Sequence, residues 1–360
     1  MEETSIQGSG DPKEETMNQH TVIGLDLAKS SNAVVALSGQ GRKLWRKTLT
    51  RSKLLPFLAQ QDPCLIALEA CSGAHHVARQ LQQQGHQVVL YPPAHVKAYL
   101  RGQKNDYNDA LALAEAAQHG RIRPVAVKTV EQQDALLIVQ QRRQLKEEQT
   151  RLGNRIRALL AERGVVLPQG VTALRRGIPR ILEDAENGLS ITARQLLERV
   201  YQRYLVLLDE LAWYDTQLQC HAREDATCRR LCEMPGVGPI VASVLQGWMG
   251  DGRQFSRGRD ASAALGLVPR QYSTGGRDVL LGISKRGDRY VRSQVVNGAQ
   301  AVLRCAEGKE DALSRWVVRL KARAGHNKTV IALANKLVRI AWVIVARGEQ
   351  YRPQPIDCHG

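Results

Sequence analysis

The chain has 360 residues, 43% hydrophobic and 24% charged, an ordinary globular composition that excludes wholesale disorder, a collagen-like repeat and a low-complexity chain. Lysine and arginine number 51 against 35 acidic residues, a net charge of +16, so a partner dense in negative charge is expected and nucleic acid heads the candidates; a basic enzyme without such a partner is the plainer alternative. No apolar run approaches the roughly 18–20 residues of a membrane span, and the polar, acid-rich start has neither the apolar core of a secretory signal nor the arginines of a transit peptide.

Residues 1–19 read as a disordered tail. From residue 21 the pattern is α/β. Short strands are predicted over 21–27, 33–37 and 43–49, separated by turn residues such as Ser38-Gly39-Gln40-Gly41. Residues 64–68 (CLIAL) are continuously apolar after Asp62-Pro63, which predicts a buried central strand. A helix follows over 74–84, stopped by Gly85, and a strand over 87–90, ended by Tyr91-Pro92-Pro93. An Ala/Leu-rich helix over 106–118 closes at Gly120. Three strands, then strand, helix, strand and helix, is the element order of an RNase H-like layer, expected over 20–128.

The period then changes. Ile138, Leu145, Leu152 and Leu159 recur every seven residues, with Ile156 between them. Leu197, Tyr204, Leu211 and Leu218 do the same, with Val200, Leu207 and Tyr214 added. Two heptad helices within 129–225, separated by a Gly/Pro-containing stretch over 164–188, predict an antiparallel coiled-coil arm or a dimerising seam. A plain helical core is the alternative. A mainly helical region is expected over 226–350, with loops over the Arg- and Gly-dense 251–292, helices over 299–304 and 328–346, and a tail over 351–360. The seven cysteines form no CxxC, and Cys228 and Cys232 have no second Cys/His pair at zinc-finger distance. Free thiols in a reducing cytosol follow, and no structural zinc.

The acids carry the first chemical signal. Asp26 ends the first strand and Glu69 the buried one, while Asp106 and Asp109, three apart, share one face of a helix start. Four such carboxylates can converge on one or two hard cations, and an all-oxygen donor set suits magnesium. Singly, each has a plainer reading: Asp106 as an N-cap, Asp109 as a first-turn acid, a strand-end Asp as a turn residue. Gly236 and Gly238, before an apolar helix, suit a helix–hairpin–helix element whose backbone approaches a phosphate; an ordinary turn is the alternative. Ser273 lies in a basic, glycine-flanked segment near Arg270 and Arg277, followed by Lys285, Arg286, Arg289 and Arg292. A hydroxyl there can be a nucleophile, or the segment can be a polar turn with phosphate-binding arginines. With two Phe and 4% aromatic residues, extensive base stacking is not expected.

Six motifs in order, GLDLAK (24–29), ALEACSG (67–73), KNDYNDA (104–110), MPGVGP (234–239), LGLVPRQYSTGG (265–276) and ISKRGDRYVR (283–292), resemble the DEDD transposases of the insertion sequence 110 family, and within it the insertion sequence 1111 subgroup. The Piv-type site-specific DNA invertases belong to the same group. The resemblance implies a RuvC-like, RNase H-type domain with Asp26, Glu69, Asp106 and Asp109 as its acidic tetrad, holding one or two magnesium ions. It implies a C-terminal domain whose serine, here Ser273, attacks a DNA phosphate and becomes covalently attached. Some relatives carry Ser directly before the glycine, where this chain has Thr274. The implied partners are donor and target DNA, a noncoding bridge RNA that chooses them, and further copies of the chain. Dimers pair into tetramers, the acids of one subunit meeting the serine of another, in the cytoplasm at the nucleoid. A metal-dependent junction nuclease with no covalent intermediate, and a catalytically silent nucleic-acid-binding derivative, are the rival readings.

Overall fold

The computed structural model describes residues 21–100, 103, 105–274 and 277–353. The tail expected over 1–19, all but three residues of that over 351–360, Lys104, and the Gly275-Gly276 pair lie outside the described residues. The chain divides into two compact units, Met1–Thr129 and Val130–Gly360.

The first unit is built on a mixed five-stranded sheet in the order β3-β2-β1-β4-β5. The strands are β1 (Val22–Asp26), β2 (Ser31–Leu37), β3 (Lys43–Thr50), β4 (Leu65–Glu69) and β5 (Gln87–Tyr91). β2 runs antiparallel to β1 and β3, while β1, β4 and β5 are parallel. The helices are α1 (Arg51–Leu58), α2 (Ala74–Gln83), the short α3 (Pro93–Val96) and α4 (Asp106–His119). Strand side chains alternate between faces. Ile23, Leu25, Ile66 and Leu68 pack with Leu54 and Leu58 of α1 and with Val77 and Leu81 of α2. Val22, Val35 and Ala67 face the other way, onto Ala110, Leu113, Ala114 and Ala117 of α4. Both faces are covered, which is why β1 and β4 read as unbroken apolar runs. The sequence reading omitted α1: eight residues with Pro56 inside carry little helical signal, and the burial of Leu54 and Leu58 holds the turn in place.

The second unit contains α5 (Val130–Ala161), α6 (Val171–Glu183), α7 (Ile191–Glu224), α8 (Ala226–Cys232), α9 (Pro239–Met249), α10 (Gly258–Ala264), the hairpin strands β6 (Pro269–Thr274) and β7 (Arg277–Ile283), α11 (Arg289–Arg304), α12 (Ala312–Ala324) and α13 (His326–Arg347). α5 and α7 pack antiparallel: Arg142 pairs with Asp215, Glu148 with Arg203, and the Gln149 amide donates to the Tyr204 hydroxyl. The buried positions of α7 include the predicted Leu197, Tyr204, Leu211 and Leu218. Those of α5 are Ala135, Val139, Gln149, Gly153, Ile156 and Leu160: Ile156 is where it was expected, while Val139, Gly153 and Leu160 fall one residue past the predicted Ile138, Leu152 and Leu159. The polar seam positions Arg142 and Gln149 hide this register from a hydrophobic count. The α7 repeat is thus buried within the chain, whereas Leu159 of the α5 repeat is exposed.

The stretch over 164–188, read as a break, holds α6. Pro179 lies inside it and cannot donate to the carbonyl four residues back, that of Arg175. The Tyr201 hydroxyl donates to that carbonyl instead, at 3.2 Å, so the helix continues through its proline. The expected loops over 251–292 are in part ordered: they hold α10 and the β6–β7 hairpin. α13 is long and apolar enough, by length and composition, to cross a membrane. Its Leu333, Leu337, Val338 and Ala341 are committed to the core of this unit, which no count of consecutive apolar residues could reveal.

Candidate active site

Three of the four strand-end and helix-start acids are brought together. Carboxylate oxygens of Asp26, Asp106 and Asp109 all lie within 4.8 Å of one another. Their meeting follows from the fold. Alternation from Val22 and Gly24 turns Asp26, at the C-terminal end of β1, toward the α4 side of the sheet. α4 must then lie unusually close, and Gly24 permits it: a Cβ there would stand 1.9 Å from the Ala110 carbonyl oxygen. The small residues Ala110, Ala114 and Ala117 on the facing helix allow the same approach.

The N-cap of α4 is Asn105, whose side chain accepts from the Asn108 amide at 2.9 Å. Asp106 is therefore the first helical residue rather than the cap. Both acids sit in the first turn, where unpaired amides favour negative charge. Among residues that no motif count picked out, Asn32 is 1% exposed. It accepts from the Ala28 amide and donates to the Leu49 carbonyl, fixing the turn that follows Asp26.

Glu69 is on the adjacent strand, where Leu25 pairs with Leu68, and by alternation it turns to the α4 side. It stands outside the three-acid cluster. Its charge nonetheless reaches the same turn: burial first, then Glu69 and Asp26, raise the Cys71 thiol. Three carboxylates this close repel one another, and a divalent cation among them converts repulsion to attraction. The donor set is all oxygen and partly open to solvent, which fits a hard divalent cation that keeps some of its water.

The second unit places the remaining candidates. Ser273 is exposed on β6, and its hydroxyl accepts from the Gln271 amide at 2.8 Å. Thr274, not Ser273, pairs across the hairpin with Arg277. Arg270 is at the register shift between Pro269 and Gln271. Gly236 has φ +76°, and a Cβ there would stand 2.5 Å from the Gly298 carbonyl oxygen of α11. Packing alone thus requires that glycine, whereas Gly238 is exposed at the N-cap of α9. Lys285, Arg286 and Arg289 are exposed. Arg292 is half-buried and donates to the carbonyls of Leu265 and Arg286, so it clamps the loop behind the hairpin.

Comparison with known proteins bears on both units. A family model described as "Transposase" matches residues 23–163, and another, described as "Transposase IS116/IS110/IS902 family", matches residues 228–314. The chain is 41% identical over 332 residues to a probable family 20 transposase of Pseudomonas aeruginosa, covering 92% of this chain and 98% of that protein. It is 38% identical over 328 residues to the transposase for insertion sequence element IS1328 of Yersinia enterocolitica, covering 91% and 97%. It is 36% identical over 337 residues to the transposase for insertion sequence element IS1111A of Coxiella burnetii, covering 94% and 93%.

Proposed function

The chain belongs to the IS116/IS110/IS902 family of insertion-sequence transposases, and on that footing we propose that it cuts and rejoins donor and target DNA through attack by Ser273. The observation that carries this reading is the convergence of Asp26, Asp106 and Asp109 within 4.8 Å in a DEDD-type transposase domain. These acids would hold one or two magnesium ions, with Glu69 on the adjacent strand. A metal at that site would supply positive charge to offset that building on the phosphate oxygens.

The Ser273 oxygen bonds to phosphorus and gives up its hydroxyl proton, while the bond from phosphorus to a deoxyribose oxygen breaks and that oxygen takes up a proton and leaves as a hydroxyl. Attack by another strand's hydroxyl on the seryl phosphate reverses the exchange and frees the serine. The phosphoester energy is conserved, which recombination without an energy source requires. Exposed Lys285, Arg286 and Arg289 grip the backbone and offset the charge of the pentavalent state. Gly238, at the open start of α9, offers a further phosphate contact. A noncoding bridge RNA selects the two DNA sites, leaving the protein to hold backbones and shape, within an assembly of dimers paired into tetramers.

The test is to quench a cleavage reaction with denaturant, digest the DNA and map nucleotide-bearing peptides by mass spectrometry. Wild type is expected to carry the adduct on Ser273, and Ser273→Ala to bind DNA normally and form none. An adduct on Thr274, which pairs with Arg277, would move the nucleophile by one residue. Cleavage by wild type with no adduct would establish the nuclease reading.

A further inference from the structure

A cavity of about 720 Å³ opens in the second unit between α10, α12, α13 and the segment after α13, and none of the residues assigned above lines it. Its wall is aromatic at two points distant in sequence, Trp316 of α12 and Tyr351 beyond α13, both half-buried. Trp342, which also lines it, is held by donating its ring N–H to the Gly252 carbonyl at 3.0 Å. Arg259, Lys336, Arg339 and Arg352 bring positive charge to the rim. The Lys336 ammonium lies 4.9 Å from the Trp316 ring centroid, over its face, so a cation and an aromatic plane are presented together. Glu349 also lines the cavity, and its carboxylate is 3.7 Å from Arg347.

Aromatic and cationic side chains lining one cavity are complementary to a base joined to a phosphate. Bases stack on aromatic side chains whatever their sequence, and the backbone follows the cations. Duplex DNA cannot use such a site, because its bases are already stacked on each other. The volume is within the range of pockets that enclose a ligand of nucleotide size. We propose that this cavity binds an unpaired nucleotide of a nucleic-acid strand, its base taking the place of the Lys336 ammonium on the face of Trp316 and packing beside Tyr351, and its phosphate meeting the displaced Lys336 with Arg259 and Arg339. Strand exchange exposes such nucleotides in DNA, and a single-stranded RNA presents the same chemistry. The site is independent of which residue is the nucleophile.

The full chain is titrated with single-stranded DNA, single-stranded RNA and duplex DNA of one sequence, each about 15 nucleotides long. Arg259→Glu combined with Arg339→Glu, both exposed positions, is expected to weaken single-strand binding by about tenfold or more and duplex binding by less than about threefold. Trp316→Leu is expected to cost about tenfold for single strands, and Trp316→Phe much less. On wild type, strands carrying a 5-iodopyrimidine are expected to photocrosslink to peptides containing Trp316 or Tyr351. This arm decides the matter even if Trp316→Leu fails to fold. Loss confined to the DNA or the RNA arm supports the site and identifies its source. Unchanged single-strand affinity, equal loss for duplex, or crosslinks that avoid the cavity would overturn it. Covalent trapping of wild type is scored separately, so the two proposals fail independently.

Discussion

A carboxylate at the end of a buried strand is expensive to desolvate, and Asp26 stands beside two more. The cluster, half-buried at Asp26 and Asp109 and exposed at Asp106, sets like charges side by side at a cost in local stability, as functional sites often do. Asp26→Asn relieves repulsion, so it should keep the melting temperature of the wild type or raise it, while strand cleavage falls by at least about 10²–10³-fold. Magnesium or manganese should raise the melting temperature of the wild type by binding the folded form alone, and that increment should vanish in Asp26→Asn. A cation-dependent rise that survives the substitution would place the ion elsewhere. His75 gives a second measurement at this scale. Burial, with Lys128 and Arg79 nearby, pushes its imidazole down to about 4, and its Nδ1 accepts from the Lys128 amide at 3.2 Å. Its folded pKa lies below the unfolded value near 6.5, so the unfolded chain binds the extra proton. The stability this group contributes is complete above pH ~6.5 and is lost as pH falls toward ~4. Discounted for solvent screening, the loss is about 1–2 kcal/mol. His75→Gln should flatten the fall in melting temperature between pH 7 and 5; an unaltered slope would assign the acid sensitivity to other groups.

Among the elements, α4 and β1 decide whether the acids meet. Backbone contact at Gly24 leaves no room for a methyl group, since the nearest atoms are the Ala110 carbonyl and the Ala114 amide. Gly24→Ala must push the helix out, cost about 1–3 kcal/mol as an overpacked core does, and separate Asp106 and Asp109 from Asp26. Cleavage should fall far more than DNA affinity. Retained cleavage would mean that α4 can shift without moving its first turn. In the second unit, α6 survives its proline because Tyr201 supplies the missing donor. Tyr201→Phe leaves the Arg175 carbonyl without that partner, at a cost of about 1–2 kcal/mol. The measurement is the thermal unfolding midpoint, which should be lower in the variant by several degrees. No change would show that solvent already satisfies that carbonyl.

For the molecule as a whole, the excess of 51 basic over 35 acidic residues governs binding. Each neutralised phosphate releases condensed counterions, so affinity for DNA should fall steeply with salt. A surface making roughly 6–10 phosphate contacts loses about 10³–10⁵ in affinity between 50 and 200 mM salt. A shallow slope measured by fluorescence anisotropy would mean that the charge serves some purpose other than gripping nucleic acid.

What the sequence determined by itself was whatever depends on neighbours in the chain. Apolar runs and their turn residues marked β1, β4 and β5, Gly120 marked the end of α4, and the order of six short motifs marked the family. The acids were legible because strand ends and a helix start are local features. Proximity was not. That Asp26 meets Asp106 and Asp109 depends on Gly24, the first residue of the GLDLAK motif, whose purpose is visible only with Ala110 against it. That Glu69 stands outside the trio depends on a neighbouring strand. The buried stripe of α5 was misplaced by one residue at Val139, Gly153 and Leu160 because Arg142 and Gln149 find partners on α7, and a polar side chain's partner is invisible to hydrophobic periodicity. Two Phe and 4% aromatic residues argued against extensive base stacking. Folding nonetheless brings Trp316 and Tyr351 to one cavity, because packing, unlike composition, acts between residues far apart in the chain.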